Sequence, residues 1–156
     1  MPRIVLAAVD WRTEREAIAQ LFREYVASLE QDISFQGVTE ELASLPGKYV
    51  PPRGGAFLAR VDGVAAAAIA FRNFSPGVCE MKRLYVRPQF RGLRLGERLT
   101  LMLIDEVRRR GYRRLVLDTL DSMHAARQLY ARLGFVEIAA YYDNPLPGTA
   151  YMALDL

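Results

Sequence analysis

Histidine and cysteine are almost absent from this chain: it has one of each, His124 and Cys79. A single cysteine excludes an internal disulfide, and a reducing compartment is the natural setting for such a chain. One histidine and one cysteine cannot supply the ligands of an ordinary zinc site, so no metal is expected. Long apolar runs are missing as well. Nothing approaches the roughly 18 uninterrupted apolar residues of a membrane-spanning helix, so no membrane association is expected. The opening Met1-Pro2-Arg3 leads into an apolar run that stops at Asp10, which does not read as a secretory signal. A soluble, cytoplasmic protein is the expectation. Neither a G-x-G-x-x-G fingerprint nor a G-x-x-x-x-G-K-[ST] loop occurs, which argues against a dinucleotide fold and a P-loop ATPase. Helix-turn-helix and aromatic-rich sheet patterns are missing too, so no nucleic acid partner is expected.

What is present is one domain's worth of sequence. The 156 residues suit a single unit spanning 1–156. At 51% hydrophobic and 25% charged, the composition is that of an ordinary globular protein. The net charge of +3 is modest but uneven. From Lys82 to Arg114, eleven Lys or Arg residues face only Glu97, Asp105 and Glu106, a local charge of +8. Such a stretch suits a phosphate-bearing partner. A solvated helix face explains Arg108 to Arg110 and Arg113-Arg114 equally well. Lys82 to Arg98 is different, because a glycine turn sits inside it.

The periodicity predicts an α/β chain. Residues 3–9 read as a strand. Thr13-x-x-Glu16 reads as a capping box, followed by an amphipathic helix carrying Ile18, Leu21, Phe22, Tyr25, Val26 and Leu29. A shorter helix is expected from about Glu40 to Leu45, stopped by Pro46-Gly47. Ala56 to Val61 and Val64 to Arg72 flank Asp62-Gly63, a hairpin signal that overrides the helical look of the alanines after Val64. Val78 to Arg87 reads as a strand ended by Pro88. A long helix follows, Arg91 to Arg110, with Leu95, Leu99, Met102, Leu103 and Val107 on one face. Leu115 to Asp118 is a short buried strand. Ser122 is expected to cap a helix that Gly134 ends, and Phe135 to Ile138 and Tyr151 to Leu156 close the chain as strands. The order is β-α-α-β-β-β-α-β-α-β-β around a mixed sheet.

One segment in that order points to chemistry. A strand runs into Arg91-Gly92-Leu93-Arg94-Leu95-Gly96 and then into a helix. Free N–H groups and a partial positive charge at a helix start make an anion site, and glycine lets a ligand approach the backbone. Read alone, glycine at a helix start also serves close packing.

The surrounding residues narrow the choice. Leu84-Tyr85-Val86-Arg87-Pro88-Gln89-Phe90-Arg91-Gly92-Leu93-Arg94-Leu95-Gly96 resembles motif A of the GNAT superfamily of acetyl-CoA-dependent N-acetyltransferases, with its [Q/R]-x-x-G-x-[G/A] turn. Ala125-Ala126-Arg127-Gln128-Leu129-Tyr130-Ala131-Arg132-Leu133-Gly134-Phe135 resembles the family's A-x-x-L-Y-x-x-x-G-F segment. Element order and length agree along the whole chain. Two departures stand out: Arg94 replaces the usual glycine at the fourth motif position, and Met123 stands where the family often has Asn.

The resemblance implies a GNAT-like fold with splayed central parallel strands and acetyl-CoA as co-substrate. It implies transfer to the primary amine of a small molecule or peptide by direct attack in a ternary complex. A GNAT-fold sensor that binds acyl-CoA without transfer is the rival. The coenzyme is expected on Leu84, Tyr85 and Val86 of the strand, on Arg91, Gly92, Leu93, Arg94, Leu95, Gly96 and Glu97 of the turn, and on Met123 and Ala126. Arg94 is expected to reach the pyrophosphate. A backbone N–H of Tyr85 or Val86 would polarise the carbonyl. Glu80 is the candidate base, with a pKa raised by a partly apolar slot. The alternative for Glu80 is a structural or amine-binding carboxylate. Tyr130 is the candidate acid, and otherwise a core tyrosine.

Cys79 reads as a buried strand thiol, because neighbouring Glu80 points to the opposite face. His124 carries no catalytic role. The acceptor is expected between the segment from Glu30 to Val38, with Asp32, Phe35 and Gln36, and the loop Tyr141-Tyr142-Asp143-Asn144-Pro145-Leu146-Pro147-Gly148. Phe35, Tyr141 and Asp143 combine aromatics with a carboxylate, which suits a small cationic amine. Rigid turn chemistry explains the same loop. Amino acid, polyamine, aminoglycoside and peptide N-terminus all fit, and a homodimer stays open.

Overall fold

Asp62 and Gly63 both take positive φ, 49° and 82°, and the tight turn they make joins two strands as the Asp-Gly signal requires. The strands are β2 (Gly55–Val61) and β3 (Val64–Ser75) in a computed structural model that describes residues 1–29 and 31–156. Around them lie β1 (Ile4–Ala8), α1 (Arg15–Ser28), α2 (Val38–Ala43), β4 (Val78–Val86), α3 (Leu95–Arg109), β5 (Arg114–Thr119), α4 (His124–Arg132), β6 (Val136–Ile138) and β7 (Ala150–Asp155). The order of helices and strands is the one read from the sequence. Among the described residues seven strands form one sheet, ordered β1-β2-β3-β4-β5-β7-β6. Only β4 and β5 run parallel; every other neighbouring pair is antiparallel. No helix among the described residues is long and apolar enough to cross a membrane.

Strand alternation splits the core into two layers. Phe57, Ala59 and Val61 face α3 and α4, whereas Ala56, Leu58, Ala68 and Ala70 face α1. Ala66 to Ala70 are fully buried, so the alanine run is strand because both faces of β3 are covered by close-packed helices. Small side chains let those helices approach; tertiary packing overrides helical propensity here. On α3 the stripe Leu95, Leu99, Leu103, Ile104 and Val107 is buried, each side chain contributing on the order of 2 kcal/mol.

Several boundaries differ from expectation. The Thr13–Glu16 capping box does not form: α1 starts at Arg15 with no side-chain cap, and the Glu14 carboxylate reaches back to the Asp10 N–H at 2.9 Å instead. Helix α2 runs Val38–Ala43 rather than from Glu40, because Gly37 at φ 71° turns the chain into it early. Helix α3 begins at Leu95, not Arg91, because Gly92 (φ 93°) and Arg94 (φ 58°) are left-handed and break any helix through them. Met123, not Ser122, is the residue before α4.

Two ion pairs fix the upper helices to β4. Arg83 sits in a bulge of β4 at φ 64° and donates to both oxygens of Glu41 at 3.0 and 3.1 Å, with both side chains buried. Arg87 makes a bidentate contact to Glu24 of α1 at 2.8 Å. The bulge puts Arg83 against α2 and leaves Lys82 on the wall of a neighbouring pocket.

Candidate active site

Strands β4 and β5 pair only at Val78–Arg114, Cys79–Leu115 and Glu80–Val116, then part. Beyond Glu80, β4 has no strand partner on its β5 side. Arg87 N–H bonds Ala66 O on β3 at 2.9 Å. By strand alternation the Tyr85 N–H also faces β3, while the N–H groups of Leu84 and Val86 face the gap. Of the two expected carbonyl donors, only Val86 therefore points the right way.

The gap opens outward into a groove of about 530 Å³. Its floor is Leu84, Tyr85 and Val86 of β4, and its far end is the turn Arg91, Gly92, Arg94, Leu95 and Gly96. No side chain caps the start of α3, so its first N–H groups remain free for an anion. Arg91 and Arg94 are exposed at the same place. Gly92 sits at a φ that a side chain rarely adopts, and no atom of the fold lies where its Cβ would go. Arg94 adopts the left-handed conformation that accounts for the family's usual glycine, and it keeps its cation beside the turn. These features fit the pyrophosphate and pantetheine of a coenzyme.

Inward, the groove narrows to a slot of about 70 Å³ between the parted strands. Tyr25, Leu84, Met123 and Ala126 line both spaces. Tyr130 lines the slot; its ring packs on Phe135 at 5.5 Å, and its hydroxyl makes no hydrogen bond among the described residues. Burial, with the Asp118 charge beyond it, pushes the Tyr130 phenol above its ordinary value, so it stays protonated.

On the other side of the slot lies a pocket of about 250 Å³ lined by Phe35, Gln36, Lys48, Arg72, Phe74, Glu80, Lys82, Tyr142 and Asp143. Gln36 and Lys82 line both slot and pocket. Groove, slot and pocket thus follow one another with shared walls. Glu80 is buried between Arg72 (Nε to Oε1, 2.9 Å), Tyr141 (hydroxyl to Oε2, 2.7 Å) and the Lys82 ammonium (3.8 Å). Burial alone would raise its pKa. The Lys82 charge, the Tyr141 hydroxyl and the Arg72 guanidinium outweigh burial and hold the carboxyl below its ordinary value. The expectation of a raised pKa is therefore corrected: Glu80 is near apolar groups but is fully partnered.

Most expected coenzyme residues line the groove, Met123 and Ala126 included. Two do not. Leu93 packs on the α3 core layer, and Glu97 faces Arg94 and Arg132 at 3.9 and 4.0 Å. Phe35 and Asp143 line the pocket; Tyr141 is not on its wall but supports Glu80 from behind. Asp32 instead caps a turn, accepting from Ser34 N–H at 2.8 Å, and Glu30 lies outside the described residues. Asn144 likewise accepts from Leu146 N–H at 2.9 Å, which is the turn chemistry of the loop. Cys79 is buried with its thiol pushed up to about 12 by desolvation, as expected of an inert thiol. His124 lines the groove. Sequence reading missed Ser28 and the role of Tyr25 and Leu29, which it treated as core, because they reach the groove from α1 across the fold. It also missed Lys48, Arg72 and Lys82: the sheet register brings Arg72 and Lys82 to Glu80, and Lys48 joins them from the turn Gly47–Tyr49.

Comparison with known proteins agrees with this architecture. The model of the acetyltransferase (GNAT) family matches residues 16–135. An uncharacterized N-acetyltransferase of Schizosaccharomyces pombe is 41% identical over 155 residues, covering 98% of this chain and 95% of its own. A GNAT-family acetyltransferase structure from Staphylococcus aureus superposes with a TM-score of 0.80 at 18% identity, covering 98% of this chain and 99% of its own. A Salmonella typhimurium structure solved with its cofactor acetyl-CoA has a TM-score of 0.71 at 22% identity, covering 97% of this chain and 93% of its own. The two structures carry the fold, and the family model and the yeast relative carry the membership: this chain belongs to the GNAT family of acetyltransferases.

Proposed function

We propose that the protein moves an acetyl group from acetyl-CoA to the primary amine of a small acceptor by direct attack in a ternary complex. The observation that supports this most is the succession of groove, slot and pocket with shared walls, with Tyr130 on the slot and Glu80 on the pocket. Coenzyme and acceptor enter from opposite sides of the sheet and meet between β4 and β5. Acetyl-CoA, when bound, supplies an activated acetyl thioester.

The chain's own residues do the rest. Arg91, Arg94 and the N–H groups at the start of α3 hold the pyrophosphate. The Val86 N–H, unpaired in the gap, donates to the carbonyl oxygen as charge develops there. Glu80 accepts the proton of the attacking nitrogen. Its basicity is low, but the nitrogen becomes strongly acidic as its lone pair enters the new bond, so an ionised carboxylate suffices. Tyr130 donates from its unbonded hydroxyl to the leaving sulfur. Holding both reactants in one path removes much of the entropic barrier.

The test is release of free thiol from acetyl-CoA across a panel of amines, with calorimetry of acetyl-CoA binding alongside. Amine-dependent release supports transfer. Acetyl-CoA binding with no release for any amine supports the non-catalytic sensor instead.

A further inference from the structure

Lys82 stands where the slot meets the acceptor pocket, and the fold gives its ammonium one distant carboxylate and no hydrogen bond among the described residues. Its side chain is 9% exposed, its ammonium makes no hydrogen bond among the described residues, and Glu80 at 3.8 Å is beyond hydrogen-bond reach. Burial with Arg83 and Lys48 nearby depresses it to about 8 against the pull of Glu80 and Asp118, so it is still largely charged at neutral pH. An ammonium with three donors and no protein hydrogen bond is free to donate to a group that enters the pocket.

The neighbours make the imbalance larger. Arg72 shares the single carboxylate of Glu80 with Lys82, so two cations face one anion. Arg72 is pre-set by that bond and by stacking over Phe74 at 5.2 Å. Lys48 lies 3.0 Å from Glu41, whose two oxygens are already taken by Arg83, so here too two cations face one anion. The exposed Asp143 offsets one of the two surplus charges across the pocket. Asp118, on the slot wall with Lys82, balances the other in sum, but Tyr142 and Asn144 engage it, and on the pocket wall Lys48, Arg72 and Lys82 stand against Glu80 and Asp143 alone.

From this arrangement we infer that the acceptor is an amine that also carries a carboxylate, a free amino acid, with Lys82, Arg72 and Lys48 taking the carboxylate and Glu80 taking the amine. The reading rests on the pocket being the acceptor site proposed above. It also fits the spacing, because Glu80 and Lys82 stand 3.8 Å apart and present opposite charges side by side, as an amino acid does. A polyamine or aminoglycoside would bring further positive charge against Lys82. A peptide N-terminus has an amide where the pocket supplies cations. The small-cation acceptor expected from Phe35, Tyr141 and Asp143 gives way, because those residues are outnumbered by cations that were not visible as a group in the sequence.

The test varies the substrate first, so folding is not at stake. The common amino acids, their carboxamides and spermidine are compared in the thiol-release assay and by calorimetry with the coenzyme A complex. The expected result is a kcat/KM at least about 100-fold higher for one or more acids than for the matching carboxamide, as for a site whose buried donors are left unpaired by the analogue. Lys82→Met is expected to erase most of that ratio, chiefly by raising the KM of the acids; Arg72→Gln does the same more weakly. Acids that react and bind no better than their carboxamides overturn the proposal, whereas turnover of those carboxamides leaves the transferase reading intact. Acids that bind more tightly than carboxamides with no turnover of any amine sustain the carboxylate site and overturn the transferase reading.

Discussion

Tyr141 donates its hydroxyl to Glu80 at 2.7 Å, tying the loop between β6 and β7 to the middle of β4. Tyr141 also packs edge-on against Phe74, 5.1 Å away, and against Tyr151, 5.3 Å away. A loop residue therefore fixes the carboxylate on the pocket wall. Such a shell of support lets a side chain act without reorganising.

Glu80→Gln tests that shell by pH. The carboxyl is held below its ordinary value, so its charge stabilises the fold above the unfolded carboxyl pKa, about 4.3. That contribution is lost as pH falls through the lower folded value. Urea midpoints measured from pH 7 down to 3 should fall less steeply for Glu80→Gln than for wild type. At pH 7 the variant should be less stable by about 3 kcal/mol, because Arg72 and Lys82 lose their shared anion. Equal slopes would mean that the carboxylate is not ionised in the fold.

Tyr130→Phe separates chemistry from packing. Since the hydroxyl has no hydrogen-bond partner among the described residues, its removal should change stability by less than about 1 kcal/mol. The turnover number should fall by about 100-fold with coenzyme affinity unchanged. Steady-state kinetics decide it: full turnover leaves Tyr130 as a core tyrosine.

Arg94→Gly is expected to improve the fold and weaken the ligand. The left-handed conformation at φ 58° costs a non-glycine residue about 1 kcal/mol, so the melting temperature should rise by a few degrees. Losing the cation should weaken coenzyme A binding and flatten its dependence on salt. Calorimetry at two ionic strengths reads both. Unchanged affinity would detach Arg94 from the pyrophosphate.

The buried pair of Arg83 and Glu41 has an asymmetry worth measuring. Glu41→Gln strands Arg83 without a carboxylate and should cost about 3–5 kcal/mol. Arg83→Met should cost less, because Lys48 remains 3.0 Å from Glu41. Denaturant unfolding of both variants ranks them, and the reverse order would contradict the geometry.

The sequence exposed whatever depends on short-range pattern. The Asp62-Gly63 turn, the stripe on α3 and the turn from Arg91 to Gly96 are all local, and each was legible. The helix boundary at Leu95 was not, because the left-handed backbone at Arg94 leaves no mark when the residue is not glycine. The pocket around Glu80 was legible only in part. Phe35 and Asp143 lie in loops with suggestive composition, but Arg72 and Lys82 meet through the β3–β4 register, and Lys48 reaches them from the separate turn Gly47–Tyr49. The state of Glu80 depends on Tyr141, 61 residues away, and no spacing rule reports that contact.

The most direct test of the whole account is a crystal structure with acetyl-CoA. The pyrophosphate should lie on the Arg91 to Gly96 turn, the arm along Leu84 to Val86, and the thioester in the slot within reach of Val86 N–H and Tyr130. Pyrophosphate density away from that turn, or a thioester outside the gap between β4 and β5, would contradict it.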